Sequence, residues 1–177
     1  TLTKEDIYCR LSDMPPTIRH GVVNKIFRRR LLYGIRFDES LHSAEDGNFL
    51  LDYLRVVDSA LFIHEPLYRN LVRNGSATHG GLNVNSLKDS FKLHSRMYDN
   101  TISLFPNQKN HALAFLLDVC TLKYNEAKSR VDSIDDNVRK MLKGMRYFIS
   151  RKALLGCFNS EIHWKTRLYY LLIWLRK

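Results

Sequence analysis

Read as a pattern of apolar and polar positions, the chain changes character part-way. From Leu87 onward the apolar residues Leu87, Phe91, Tyr98, Ile102 and Phe105 recur at steps of three and four along with His94, the period of a helix face. Pro106-Asn107 interrupts that helix. Leu113 to Ala127 is broadly apolar and predicts a buried helix. Ser133 and Asp136 have capping-box spacing. Behind them Ile134, Val138, Met141, Met145, Phe148 and Ile149 continue one stripe. Gly156 and Asn159 predict a break, and Glu161 to Lys177 a last helix with a basic tail.

Before Leu87 the pattern is mixed. Thr3 and Asp6 read as a helix start. Arg19 to Leu32 carries an apolar stripe of Val22, Val23, Ile26, Phe27, Leu31 and Leu32 among basic residues. Ser43 predicts a cap for a helix beginning at Glu45-Asp46, with Phe49, Leu50, Tyr53 and Leu54 facing a core. Ala60 to His64 and Leu67 to Val72 are strand candidates, punctuated by Pro66. Asn74-Gly75 and Gly80-Gly81 are turn signals. The expected fold class is therefore mainly α with a small β component. Residues 1–82 form a mixed part and 83–177 an antiparallel helical bundle.

Composition narrows this picture. The chain has 177 residues, 45% of them hydrophobic and 26% charged, which is ordinary globular usage and excludes disorder or low complexity. The longest apolar run, Leu168 to Leu175, falls far short of the roughly 20 residues a spanning helix needs. Cys9, Cys120 and Cys157 are too scattered for a disulfide framework or a zinc site, so a cytoplasmic compartment is expected. The seven histidines form no close pair at metal-ligand spacing. The net charge of +10 points to an anionic partner: nucleic acid, membrane surface or phosphorylated substrate.

One ordered series goes further. Asn24-Lys25-Ile26-Phe27-Arg28-Arg29 precedes Gly34-Ile35-Arg36-Phe37. Ala44-Glu45-Asp46 with Phe49 follows, then Pro66-Leu67-Tyr68 and Arg73-Asn74-Gly75-Ser76. This order, over about 56 of the 177 residues, resembles the C-terminal half of bacterial family 2 glycosyltransferases. The resemblance implies a C-terminal piece of a GT-A-like α/β fold, followed by helices. It also implies part of an inverting enzyme that moves a sugar from a nucleotide-sugar donor to a polysaccharide or lipid-linked acceptor in cell-surface glycan synthesis. Asp46 would be the general base and Glu45 an acceptor contact. Lys25, Arg69, Arg73 and Ser76 would meet substrate or diphosphate, and His79 the metal. The Asp-x-Asp motif that holds a divalent Mg or Mn in that family does not occur here. The chain is thus expected to be the acceptor-side portion of a longer protein, inactive alone and without a metal of its own.

Away from the resemblance, Ser43, Glu45 and Asp46 would simply start a helix, and the arginines would be a solvated face. The last helix mixes Trp164, Leu168, Tyr169, Leu172 and Trp174 with Lys165, Arg167, Arg176 and Lys177. That mixture suits either core packing or an anionic membrane surface; the lipid-linked acceptors that the resemblance implies would then place the protein peripherally on the inner face of the cell membrane. The competing reading is a basic helical module for nucleic acid or a membrane surface. No nucleic-acid-binding signature accompanies the charge, and nucleic acid is not the expected partner.

Overall fold

In the computed structural model the residues described are 1–13, 17–69, 71, 84–129 and 136–175. Among these the protein is mainly helical, with one small antiparallel sheet. The strands β1 (Leu2–Thr3) and β2 (Ser59–Ala60) pair Leu2 with Ala60 and Thr3 with Ser59. Six α-helices follow one another: α1 (Lys4–Leu11), α2 (Glu45–Leu54), α3 (Val84–Leu104), α4 (Lys109–Lys128), α5 (Asp136–Cys157) and α6 (Trp164–Leu175). The chain divides into two compact units. One holds 1–11 and 16–93, the other 12–15 and 94–177.

In the first unit α1 starts with a reciprocal cap. The Thr3 N–H donates to Asp6 Oδ2 at 2.8 Å, and the Asp6 N–H to Thr3 Oγ1 at 3.1 Å, so two otherwise orphaned donors are satisfied as the spacing predicted. Tyr8 and Leu11 are fully buried. Helix α2 is the centre of this unit. Gly47 to Leu51, Tyr53 and Leu54 are all buried, so the helix is enclosed around most of its circumference. Gly47 is required by close approach. A Cβ there would lie 2.5 Å from Cδ2 of Leu93, itself buried in α3.

Two strand expectations for this unit are corrected, and the apolar stripe from Arg19 to Leu32 is mostly irregular. Its one regular piece is a single 3₁₀ turn at Arg29–Leu31, while Val23 and Ile26 face solvent. Only selected side chains are recruited: Phe27 packs edge-on against Phe49 and Tyr53, and Phe37 stacks on Phe49 at 4.3 Å. Of the first strand candidate, Ala60 to His64, only Ala60 is in a strand, β2, whose partner among the described residues is two residues long. Of the second candidate, residues 67–69 and 71 are exposed and irregular, and the remainder lies outside the described residues, as do both Gly turn signals.

In the second unit α3 runs to Leu104. The Pro106-Asn107 break is there, a short 3₁₀ turn at Pro106–Gln108 leading into α4. Helices α4 and α5 are antiparallel. Asn159, just past the end of α5, donates from Nδ2 to the carbonyl of Asn110 at the start of α4, at 2.7 Å. Leu113, Leu116 and Leu117 on α4 and Val138, Met145 and Ile149 on α5 form the core with Tyr170 of α6. Gly156 lets them close: its Cβ would meet the Leu117 methyl at 2.9 Å and the Tyr170 ring at 3.0 Å. The last helix starts at Trp164 and not at Glu161. The buried Asn159 uses its Oδ1 to accept the Glu161 N–H, which holds a turn where helix was expected. Ser133, the expected cap of α5, lies outside the described residues.

Candidate functional site

The acidic pair opens α2, but not with the expected cap. The residue before the helix is Ala44, in the left-handed conformation at φ 61° and ψ 14°. A non-glycine residue there carries strain. It is held by Asn48, whose backbone N–H and side-chain Nδ2 both donate to the Ala44 carbonyl, at 3.1 and 3.0 Å. Ser43, expected to cap, instead gives its hydroxyl to the Ser86 carbonyl. Asp89 of α3 clasps the same loop, its Oδ2 accepting the N–H groups of His42 and Ser43 at 2.8 and 3.1 Å.

This strain makes a clean stability test. Ala44→Gly should stabilise the protein by about 0.5–1 kcal/mol, since removing Cβ relieves about 1–2 kcal/mol of left-handed strain against about 0.5–1 of added chain entropy. A rise in melting temperature checks it; an unchanged or lower value would show that Ala44 sits there without strain.

The two acids differ in surroundings. Glu45 is exposed to solvent, whereas Asp46, roughly 100° further round the helix, is half-buried. Its Oδ2 accepts the Val22 N–H at 3.3 Å, and the Gly21 backbone passes beside it. Both carboxylates sit in the first turn, where the helix dipole favours negative charge. Lys25 holds the loop that carries Val22. Its Nζ donates to the carbonyls of Arg19 (2.7 Å) and Gly21 (2.5 Å) and to Asn24 Oδ1 (2.8 Å). All three ammonium donors are therefore engaged in folding residues 19–25 over Asp46. Burial lowers the Lys25 pKa, and the negative charge of Asp46 partly restores it.

It follows that Asp46→Asn should lower the Lys25 pKa further, because the opposing attraction disappears while the burial stays. An NMR titration of the Lys25 side chain reads this directly, and a rise on substitution would mean that the two groups do not face each other.

No protein-family model, curated protein or solved structure matches this chain. The site has to be argued from its own geometry. Arg69 is exposed, as are Arg28, Arg29 and Arg30. The backbone N–H of Arg28 donates to the Tyr53 hydroxyl at 3.0 Å, so the basic run is tied to α2 through its main chain. Arg73, Ser76 and His79 lie outside the described residues. Among the described residues no group of three or more His, Cys, Asp or Glu could hold a metal ion.

The contributions of Val22, Ala44, Asn48 and Asp89 were not visible in the pattern. One signal did exist: Asn48 is a polar residue inside an otherwise buried helix, and such a residue needs a local partner.

Proposed function

We propose that the chain is the acceptor-side part of an inverting glycosyltransferase, with Asp46 as general base. The observation that carries this reading is the asymmetry of the acidic pair. Asp46 is oriented by the Val22 N–H and lies within electrostatic reach of Lys25, while Glu45 is open to solvent. Asp46 would take the proton of an acceptor hydroxyl as its oxygen bonds the anomeric carbon. The nucleoside diphosphate would leave with the electron pair of the broken bond. Glu45, one position earlier, is free to accept a hydrogen bond from another acceptor hydroxyl. Lys25 serves in this reading as a positioning residue, since its donors hold the loop over Asp46. Arg69, Arg73 and Ser76 remain the candidates for phosphate contact, and His79 the weak candidate for the metal of a complete enzyme.

The bareness of the first unit also supports the reading. Ile26 is 99% exposed and Tyr33 97%, with Leu61 and Leu67 each above 70%. Exposed apolar loops of this extent suit a unit covered by a further layer, here the donor-binding half. A cytoplasmic position at the inner face of the cell membrane, where lipid-linked acceptors would be met, fits the same reading. No described helix is long and apolar enough to cross a membrane.

The test is an assay of the protein in its natural full length against a panel of nucleotide sugars with glycan and lipid-linked acceptors, reading nucleoside diphosphate release. Acceptor-dependent release is expected. Its absence with every donor would overturn the assignment.

A further inference from the structure

Helix α6 is apolar on two opposite faces, and only one of them is used. Tyr170 is fully buried. Opposite it, Trp164, Leu168, Leu172 and Leu175 are 55%, 51%, 52% and 63% exposed. Their steps of four, four and three bring them within about 80° of one another on the helix surface, forming one continuous stripe. Phe158, in the turn that leads into α6, is 81% exposed. A helix apolar all round is normally enclosed, so a bare stripe on such a helix needs something to cover it.

Charge identifies the cover. From 136 to 177 the chain carries ten basic residues against Asp136 and Glu161, so this segment holds +8 of the net +10. Lys165, on α6 itself, lies over the Trp164 ring at the start of the stripe. A second copy of this segment would meet it with the same excess of positive charge. An anionic bilayer supplies the opposite sign and an apolar layer just beneath it. Twelve residues of helix span about 18 Å, enough to lie in the headgroup plane and too short to cross.

We propose that α6 is an interfacial anchor. It lies along an anionic phospholipid surface with Trp164, Leu168, Leu172 and Leu175 inserted and Tyr170 keeping it on its own unit. The peripheral position proposed above is used only for the leaflet that is met; the binding itself is read without any sugar transfer.

The experiment is flotation of the 177-residue chain with vesicles of phosphatidylcholine alone and of phosphatidylcholine mixed with phosphatidylglycerol. Wild type should float with the mixed vesicles, weakly with the neutral ones, and less as salt is raised. Leu168→Glu/Leu172→Glu should reduce binding at least tenfold, while Leu122→Glu, an exposed leucine on α4, leaves it unchanged. In a Trp174→Phe background Trp164 is the single tryptophan, and its emission should shift to the blue with mixed vesicles. That reading is independent of how well the double variant folds. No flotation at low salt, no blue shift, or flotation equal in the folded double variant would each overturn the proposal. So would a wild-type dimer that the double variant loses, which would assign the stripe to a second copy.

Discussion

Tyr170→Ala should destabilise the second unit by about 3–5 kcal/mol, the usual cost of deleting a fully buried aromatic ring. Tyr170 is the one fully buried side chain among the described residues of α6. Its ring fills the space that Gly156 leaves against Leu117, and its hydroxyl donates to Asp118 Oδ1 at 3.1 Å. Alanine removes all of this at once, and α6 loses its hold on the unit. For a unit of this size the loss corresponds to a fall in melting temperature of about 15–30 °C. Urea unfolding followed by circular dichroism measures it; a change below about 1 kcal/mol would show that α6 is not held through Tyr170.

Tyr170→Phe separates the hydroxyl from the ring. Burial raises the Asp118 pKa, and the hydrogen bond from Tyr170 opposes that rise by favouring the ionised form. Because the folded value lies above 3.8, the folded state binds the proton more tightly than the unfolded one. Asp118's own contribution to stability is therefore fully present below 3.8 and lost as the pH rises through the folded value. Removing the donor raises the folded value further. The Phe variant should lose about 1 kcal/mol near pH 7, and its deficit should shrink as the pH falls and Asp118 takes up its proton.

On the reading proposed above, Asp46→Asn should reduce acceptor-dependent transfer by the natural full-length protein about 10²–10⁴-fold, the usual contribution of a positioned general base. Asparagine keeps the shape and can still accept the Val22 N–H, so the loop stays in place and the acceptor KM should change little. The loss belongs in kcat, since the missing function is proton removal in the transition state. A variant that keeps a tenth or more of the wild-type kcat would exclude Asp46 as the base. Glu45→Gln, by contrast, should act mainly on KM.

Helices α2 and α5 were legible because they write their own period: Phe49, Leu50, Tyr53 and Leu54 on α2, and Val138, Met145 and Ile149 on α5, are buried as their spacing predicts. The small sheet was not legible, because Leu2–Thr3 finds its partner more than 50 residues away and neither strand is long enough to alternate. The stripe from Val22 to Leu32 did not show which of its residues are covered, because Phe27 is recruited by the rings of α2 while Ile26 beside it stays in solvent. At the candidate site the Glu45-Asp46 pair could be read, but not what distinguishes its members. That depends on Val22, 24 positions upstream, and on a left-handed Ala44 fixed by Asn48. The last helix was ambiguous for a different reason. A segment apolar on two faces has no single stripe to point at a core, and the structure uses only the face bearing Tyr170.

The enclosure of α2 has a consequence for how this protein can diverge. Of its ten residues only Glu45, Asp46 and Asp52 are not buried, and all three are carboxylates. A complete substitution map of α2 should therefore show intolerance at the other seven positions on folding grounds alone. Drift in this helix is confined to its acids. On the proposed reading, new acceptor preferences would have to arise in residues 19–43, at positions other than Val22, Lys25, Phe27, Arg28 and Phe37, which hold this segment on α2 and around Asp46.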